Sequence, residues 1–143
     1  MSNFNKVKNE LVKYIYRRGI NYSLDNFHEF LQSIGNPHLK LKNVIHIAGT
    51  NGKGSTLTFI AQALISAGYK VGSYTSPHLF EYTERICLNL KPITKKDFVR
   101  LFDKCFEDKL LLKKYSPTEF EILTAMSFLY FAESKPDYII YET

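Results

Sequence analysis

At 143 residues, with 45% hydrophobic and 23% charged residues, the chain has the composition of a globular protein large enough to bury one core. Its net charge of +5 raises nucleic-acid binding, but the basic residues are scattered. Lys95-Lys96 and Lys113-Lys114 flank a helix-like stretch containing Asp97, Asp103, Glu107 and Asp108, an ordinary solvated face rather than a phosphate-tracking stripe. The N-terminus Met1-Ser-Asn-Phe-Asn-Lys6 has no apolar signal core, and no run approaches the roughly 18 apolar residues of a membrane span. The expectation is a cytoplasmic protein with neither a nucleic-acid nor a membrane partner. Cys87 and Cys105 stand far apart and outside any CxxC or metal-ligand spacing, as two reduced thiols would.

In chain order, Phe4, Val7, Leu11, Tyr14 and Ile15 fall on one helical face. Leu24, Phe27, Phe30, Leu31 and Ile34 form another after the N-cap candidate Ser23, ended by Gly35-Asn36-Pro37. Val44, Ile45, Ile47 and Ala48 predict a short buried strand. Leu57, Phe59, Ile60, Ala63 and Leu64 recur at helical spacing up to the helix stop Gly68, and Lys70–Thr75 predicts a second strand. This β–α–β order favours parallel strands with a helical crossover. Residues 76–84 are irregular, Arg85–Leu90 alternates like a half-buried strand, and Pro92 marks a turn. Thr94 with Asp97 starts a helix that Ser116-Pro117 breaks. A last helix runs from about Thr118 to Ser134, and Asp137–Tyr141 predicts a third buried strand. No repeat, low-complexity segment or internal domain boundary is evident, and the expectation is a single undivided portion of one domain.

The segment His46-Ile-Ala-Gly-Thr-Asn-Gly-Lys-Gly-Ser-Thr56 lies between the first strand and its helix, where a phosphate-holding loop would be. Gly49, Gly52 and Gly54 let backbone approach an anion, and unpaired N–H groups at the helix start point at it. Lys53 supplies a positive charge for terminal phosphates. Thr50, Asn51, Ser55 and Thr56 can donate to phosphate, although Ser55 and Thr56 also suit a helix start. The common P-loop pattern requires a glycine five residues before Gly52 and Ser or Thr after the lysine. Here Ile47 and Gly54 occupy those places, and Ser55 and Thr56 are displaced by one.

This GTNGKGS variant resembles the ATP loop of the Mur ligase superfamily. With His-Ile-Ala before it, the loop is similar to that of the folate branch, the folylpolyglutamate synthases and dihydrofolate synthases. Tyr74-Thr-Ser-Pro-His-Leu79, Glu84-Arg85-Ile86, Thr118-Glu-Phe-Glu121 and Tyr138-Ile-Ile-Tyr-Glu142 resemble successive blocks of that family in the right order. The resemblance implies an α/β fold with a P-loop-type open, mainly parallel sheet flanked by helices. It makes residues 1–143 the N-terminal, incomplete portion of a Mur-ligase-like ATP-binding domain. The glutamate-binding C-terminal domain, a second metal-binding histidine and a modified lysine would then lie beyond Thr143.

The implied activity is ATP- and Mg²⁺-dependent ligation of L-glutamate to dihydropteroate or a folate through an acyl phosphate, by a monomeric full-length enzyme. Lys53 would be catalytic, within an ATP-binding set of Gly49, Thr50, Asn51, Gly52, Lys53, Gly54, Ser55 and Thr56. Ser76 would ligate Mg²⁺ by resemblance; the sequence alone favours a turn serine satisfied by its own backbone. Glu142 follows four apolar residues and so projects from the carboxyl end of a buried strand, where a carboxylate can hold Mg²⁺. Thr118 and Glu121 match a capping box. The resemblance sets Thr118, Glu119, Phe120 and Glu121 beside the pteroate substrate, with Phe120 available for stacking.

Arg18–Phe27 resembles the family's pterin-binding stretch only loosely. Leu24-Asp25-Asn26 stands where many members carry Leu-Glu-Arg, which leaves the preference between dihydropteroate and reduced folates open. His46 reads as a core histidine and His78 as a loop residue, while His28 and His38 show no partner and no zinc signature. The alternatives are a Mur ligase of cell-wall precursor synthesis, a non-catalytic nucleotide-binding module and an inactive remnant. For these residues alone the expectation is no ligase turnover, weak ATP binding and an unpaired apolar edge beside Tyr138–Tyr141 that promotes association.

Overall fold

The computed structural model describes residues 3–15, 24–106, 115 and 117–143. Ser23, Ser116, Glu107, Asp108, Lys113, Lys114 and most of the loose pterin-like stretch lie outside them. The chain divides into two compact units, 41–94 with 133–143, and 1–40 with 95–132. No compositional signal announces this division, because one of its boundaries falls inside a helix.

The first of these units is built on a sheet. Strand β1 (Val44–Ile47) leads through helix α3 (Lys53–Ser66) to β2 (Val71–Tyr74); β3 (Ile86–Leu88), β4 (Lys91–Pro92) and β5 (Tyr138–Glu142) complete it in the order β1-β5-β2-β3-β4. β5 runs parallel to both β1 and β2, while β3 and β4 are antiparallel. The predicted parallel β–α–β unit is therefore present, with β5 inserted between its two strands. The expected free edge beside Tyr138–Tyr141 is not there, since β5 is paired on both sides. Among the described residues the edge strands are β1 and the two-residue β4, and β1 is half exposed, with Val44 at 50%, rather than buried.

Leu57 and Ala61 of α3 pack on Val71 and Ile140, with Ile45, Ile47, Ile60, Leu64, Ile65 and Leu90 around them. The helix ends in a Schellman motif: Tyr69 N–H donates to Leu64 O at 3.1 Å and Gly68 N–H to Ile65 O at 3.0 Å. Gly68, at φ 91°, is the stop the sequence indicated. The predicted strand Arg85–Leu90 is shorter. Asn89 and Leu90 take positive φ values of 49° and 59° and form the two-residue turn between β3 and β4. Pro92 therefore lies in the short β4 strand rather than at a turn, a position open to proline because β4 is at the sheet edge.

The second unit is helical. Helix α1 (Phe4–Ile15) buries Val7, Leu11 and Tyr14 at helical spacing, and α4 (Lys95–Cys105) buries Phe98, Leu101, Phe102 and Cys105. The two meet edge to face at Phe4–Phe98, with ring centroids 5.5 Å apart. Helix α2 (Leu24–Ser33) buries Phe30 and Leu31, leaving Leu24 exposed. Helix α5 (Glu119–Ser134) is apolar nearly all round, with Ile122, Leu123, Ala125, Met126, Leu129 and Phe131 buried. Apolar side chains on every face are what an internal helix requires.

Candidate functional site

β1 delivers the chain to the loop Ala48–Gly52, and α3 starts directly after it. Gly52 is the N-cap, at φ 77° and ψ 1°, with no side-chain cap bond. A Cβ in this left-handed conformation costs about 1–2 kcal/mol, so glycine is the residue that makes the turn. The first amides of any α-helix have no intrahelical acceptor, and here no capping side chain meets them, which leaves them for an anion. Lys53 Nζ donates to Gly49 O at 2.8 Å, folding its ammonium back over the loop. Thr56 Oγ donates to Gly52 O at 2.9 Å, so the helix itself engages the hydroxyl that the sequence offered to phosphate. Thr50, Asn51, Ser55 and Thr56 are all exposed.

Strand register fixes what faces this loop. Ile47 of β1 pairs with Glu142 of β5, and Tyr141 of β5 pairs with Tyr74 of β2. The phosphate-type loop, Glu142 and Ser76 thus follow the carboxyl ends of three adjacent parallel strands, the ligand edge of an open α/β sheet. Glu142 is only 9% exposed, and a Cβ built on Gly54 would lie 3.7 Å from its Oε2. Among the described residues no hydrogen bond or ion pair reaches that carboxylate. A largely buried glutamate without a side-chain partner among the described residues, beside an anion-directed helix start, suits a hard cation. No cluster of three or more His, Cys, Asp and Glu exists among the described residues. One carboxylate and a hydroxyl supplemented by water and phosphate oxygens is the donor set Mg²⁺ accepts.

Ser76 is half-buried in a bend after β2, with a cis bond to Pro77. In the same loop Glu84 accepts the N–H groups of Leu79 at 2.9 Å, Phe80 at 3.2 Å and Glu81 at 2.8 Å. These backbone bonds, that of Leu79 foremost, hold the Glu84 carboxyl below its ordinary range. Arg85 Nε–H donates to His78 Nδ1 at 3.0 Å, which leaves the proton of a neutral His78 on Nε2. The sequence marked Glu84-Arg85-Ile86 only as a block. The spacing Glu81-x-x-Glu84, a capping box around the 3-10 turn Tyr82–Arg85, is the signal that would have exposed the clamp.

Other histidines depart from expectation. His46 is exposed rather than in the core, because β1 is an edge strand, and its Nε2 lies 2.5 Å from Thr143 Oγ1. His28 and His38, for which the sequence showed no partner, face each other with ring centroids 6.0 Å apart. Burial, and then the neighbouring His28, lower the pKa of His38.

In the helical unit the predicted capping box at the start of α5 is present. Thr118 N–H donates to Glu121 Oε2 at 2.7 Å and Glu121 N–H returns a bond to Thr118 Oγ at 3.2 Å. Glu119 is half-buried, and Phe120 offers a partly exposed ring.

Over 129 residues the chain is 43% identical to the dihydrofolate synthase/folylpolyglutamate synthase of Bacillus subtilis, a match covering 87% of this chain and 30% of that protein. The chain belongs to the folylpolyglutamate synthase/dihydrofolate synthase family. No protein-family profile matches it. Among solved members, the Mycobacterium tuberculosis folylpolyglutamate synthase complexed with ADP superposes with a TM-score of 0.85 at 30% identity, covering 97% of this chain and 31% of that one. An FPGS complex with AMPPCP and folate gives a TM-score of 0.88 at 29% identity, covering 99% and 35%. This folylpolyglutamate synthase-family chain thus spans about a third or less of the length of these relatives. No described helix is long and apolar enough to cross a membrane.

Proposed function

We propose that the chain forms the nucleotide-binding part of a monomeric, cytoplasmic ligase. That enzyme uses MgATP to join L-glutamate to dihydropteroate or a folate through an acyl phosphate. The observation that carries this reading is the largely buried Glu142, without a side-chain partner among the described residues and beside Gly54 at the start of the helix that Lys53 opens.

The α3 amides and the glycine loop would bind the phosphates, and Lys53 would exchange its bond to Gly49 O for the terminal phosphate oxygens. Glu142 and Ser76 would hold Mg²⁺, which when bound neutralises charge on the phosphates. In phosphoryl transfer such positioning and electrostatic stabilisation account for most of the catalysis. In the helical unit, Thr118, Glu119, Glu121 and the exposed Phe120 ring would contact the flat substrate. The relatives solved with ADP, and with AMPPCP and folate, support the same ligand classes. Because the chain spans under a third of its curated relative, the reading for these residues alone is weak MgATP binding without turnover.

Calorimetric titration of the purified chain with ATP, with and without Mg²⁺, tests the reading. Affinity should rise with Mg²⁺, and Lys53→Ala should weaken it about 10- to 100-fold, the worth of a charge-assisted hydrogen bond. Unchanged affinity in Lys53→Ala, or amide formation by the chain alone, would refute it.

A further inference from the structure

We propose that Glu84 is a positioning residue for the Ser76 loop, fixing that hydroxyl at the cation-facing edge; this rests on the role proposed above for Ser76. The segment from Ser76 to Glu81 contains no helix or strand, so its backbone polar groups need partners from elsewhere. Packing cannot supply the order: Leu79 and Phe80, at the tip, are each 85% exposed. Three successive amides, those of Leu79, Phe80 and Glu81, converge instead on the two oxygens of one carboxylate. Successive N–H groups wrapped on a single anion force the backbone into a concave arc.

Glu84 is itself anchored. It sits on the 3-10 turn Tyr82–Arg85, where Tyr82, Thr83 and Arg85 are buried, and that turn continues directly into β3 of the sheet. The loop is closed at its base by Thr75 N–H donating to Arg85 O at 3.0 Å, next to Ser76. Arg85 Nε–H on His78 Nδ1 braces the segment midway. Ser76 is thus held between a base bond to the residue after Glu84 and an arc that Glu84 shapes.

Glu84→Gln keeps the size but removes the charge and one acceptor oxygen, and Glu84→Asp keeps the charge but withdraws it by a methylene. Two measurements on the whole chain decide. Amide hydrogen exchange at Leu79, Phe80 and Glu81 should quicken by about tenfold or more in Glu84→Gln, and less in Glu84→Asp, with Val71–Tyr74 and Tyr138–Glu142 still protected. The ratio of ATP affinities with and without Mg²⁺ should fall by about tenfold while metal-free affinity holds. Unchanged exchange and an unchanged ratio in Glu84→Gln would overturn the proposal, as would equal loss of affinity with and without metal. A wild-type chain whose ATP binding ignores Mg²⁺ would instead sink the role of Ser76, and the exchange pattern would then decide the clamp by itself.

Discussion

Oε2 of Glu142, at the end of the last strand, lies 3.7 Å from the point where a side chain on Gly54 would begin. The two residues come from distant parts of the sequence and meet because β5 pairs with β1 in a register that sets Glu142 opposite Ile47. The proposed cation and phosphate sites meet at this contact.

Gly54→Ala should therefore separate stability from binding. The distance is ordinary van der Waals contact, and alanine in a helix is favoured over glycine by about 0.5–1 kcal/mol, so the melting temperature should hold or rise. If Glu142 holds Mg²⁺ as proposed, the added methyl crowds its carboxylate, and MgATP affinity should fall about tenfold, equivalent to about 1.4 kcal/mol. Parallel loss of both quantities would argue against a cation site there.

The reciprocal bonds of Thr118 and Glu121 define a second measurable term. Thr118→Ala should lower stability by about 1 kcal/mol in urea denaturation, the usual worth of an N-cap. Adding Glu121→Ala should cost less than the sum of the two single changes, since both act on one cap.

Both thiols should be sluggish nucleophiles in the native chain. Burial pushes Cys105 up to about 12, against a small opposing effect of Lys104. Burial, then the charge of Glu84, push Cys87 up to about 11. At pH 8 the thiolate fraction is then about one in a thousand or lower. A disulfide reagent should label neither quickly until urea is added, and a fast native phase would contradict this.

The Glu84 clamp predicts a sign in acid. A carboxyl whose folded pKa is depressed stabilises the fold above its unfolded value, about 4.3, and that contribution is lost as pH falls through the folded value. The amide shifts of Leu79, Phe80 and Glu81 should hold steady down to about pH 4.3 and move together only below it. Common movement at or above that pH would rule out the carboxylate as their acceptor.

What was legible in the sequence is what depends on neighbours along the chain. Lys53 among its glycines, the Thr118 capping box and the Gly68 helix stop are each set within a few residues, and each is where the pattern put it. Glu142 was legible as an acid ending an apolar run. Strand order was not, because the apolar run Tyr138–Tyr141 reads the same at an edge or in the centre; hence β5 was expected to leave a free edge that β1 carries instead. The turn at Asn89–Leu90 escaped because leucine rarely takes a positive φ and gives no turn signal. His28 and His38 face each other through tertiary placement that spacing along the chain does not encode.

The insertion of β5 between β1 and β2 has a consequence for biosynthesis. The ribosome releases β1, the glycine loop, α3 and β2 long before the strand that joins them. Until Glu142 emerges, β1 lacks its only described neighbour and β2 lacks its parallel one, so both wait with bare hydrogen-bonding edges in the nascent chain. Pairing across so long a stretch of sequence is entropically slow. The proposed nucleotide site thus takes shape at one late step, when β5 joins the sheet, rather than progressively.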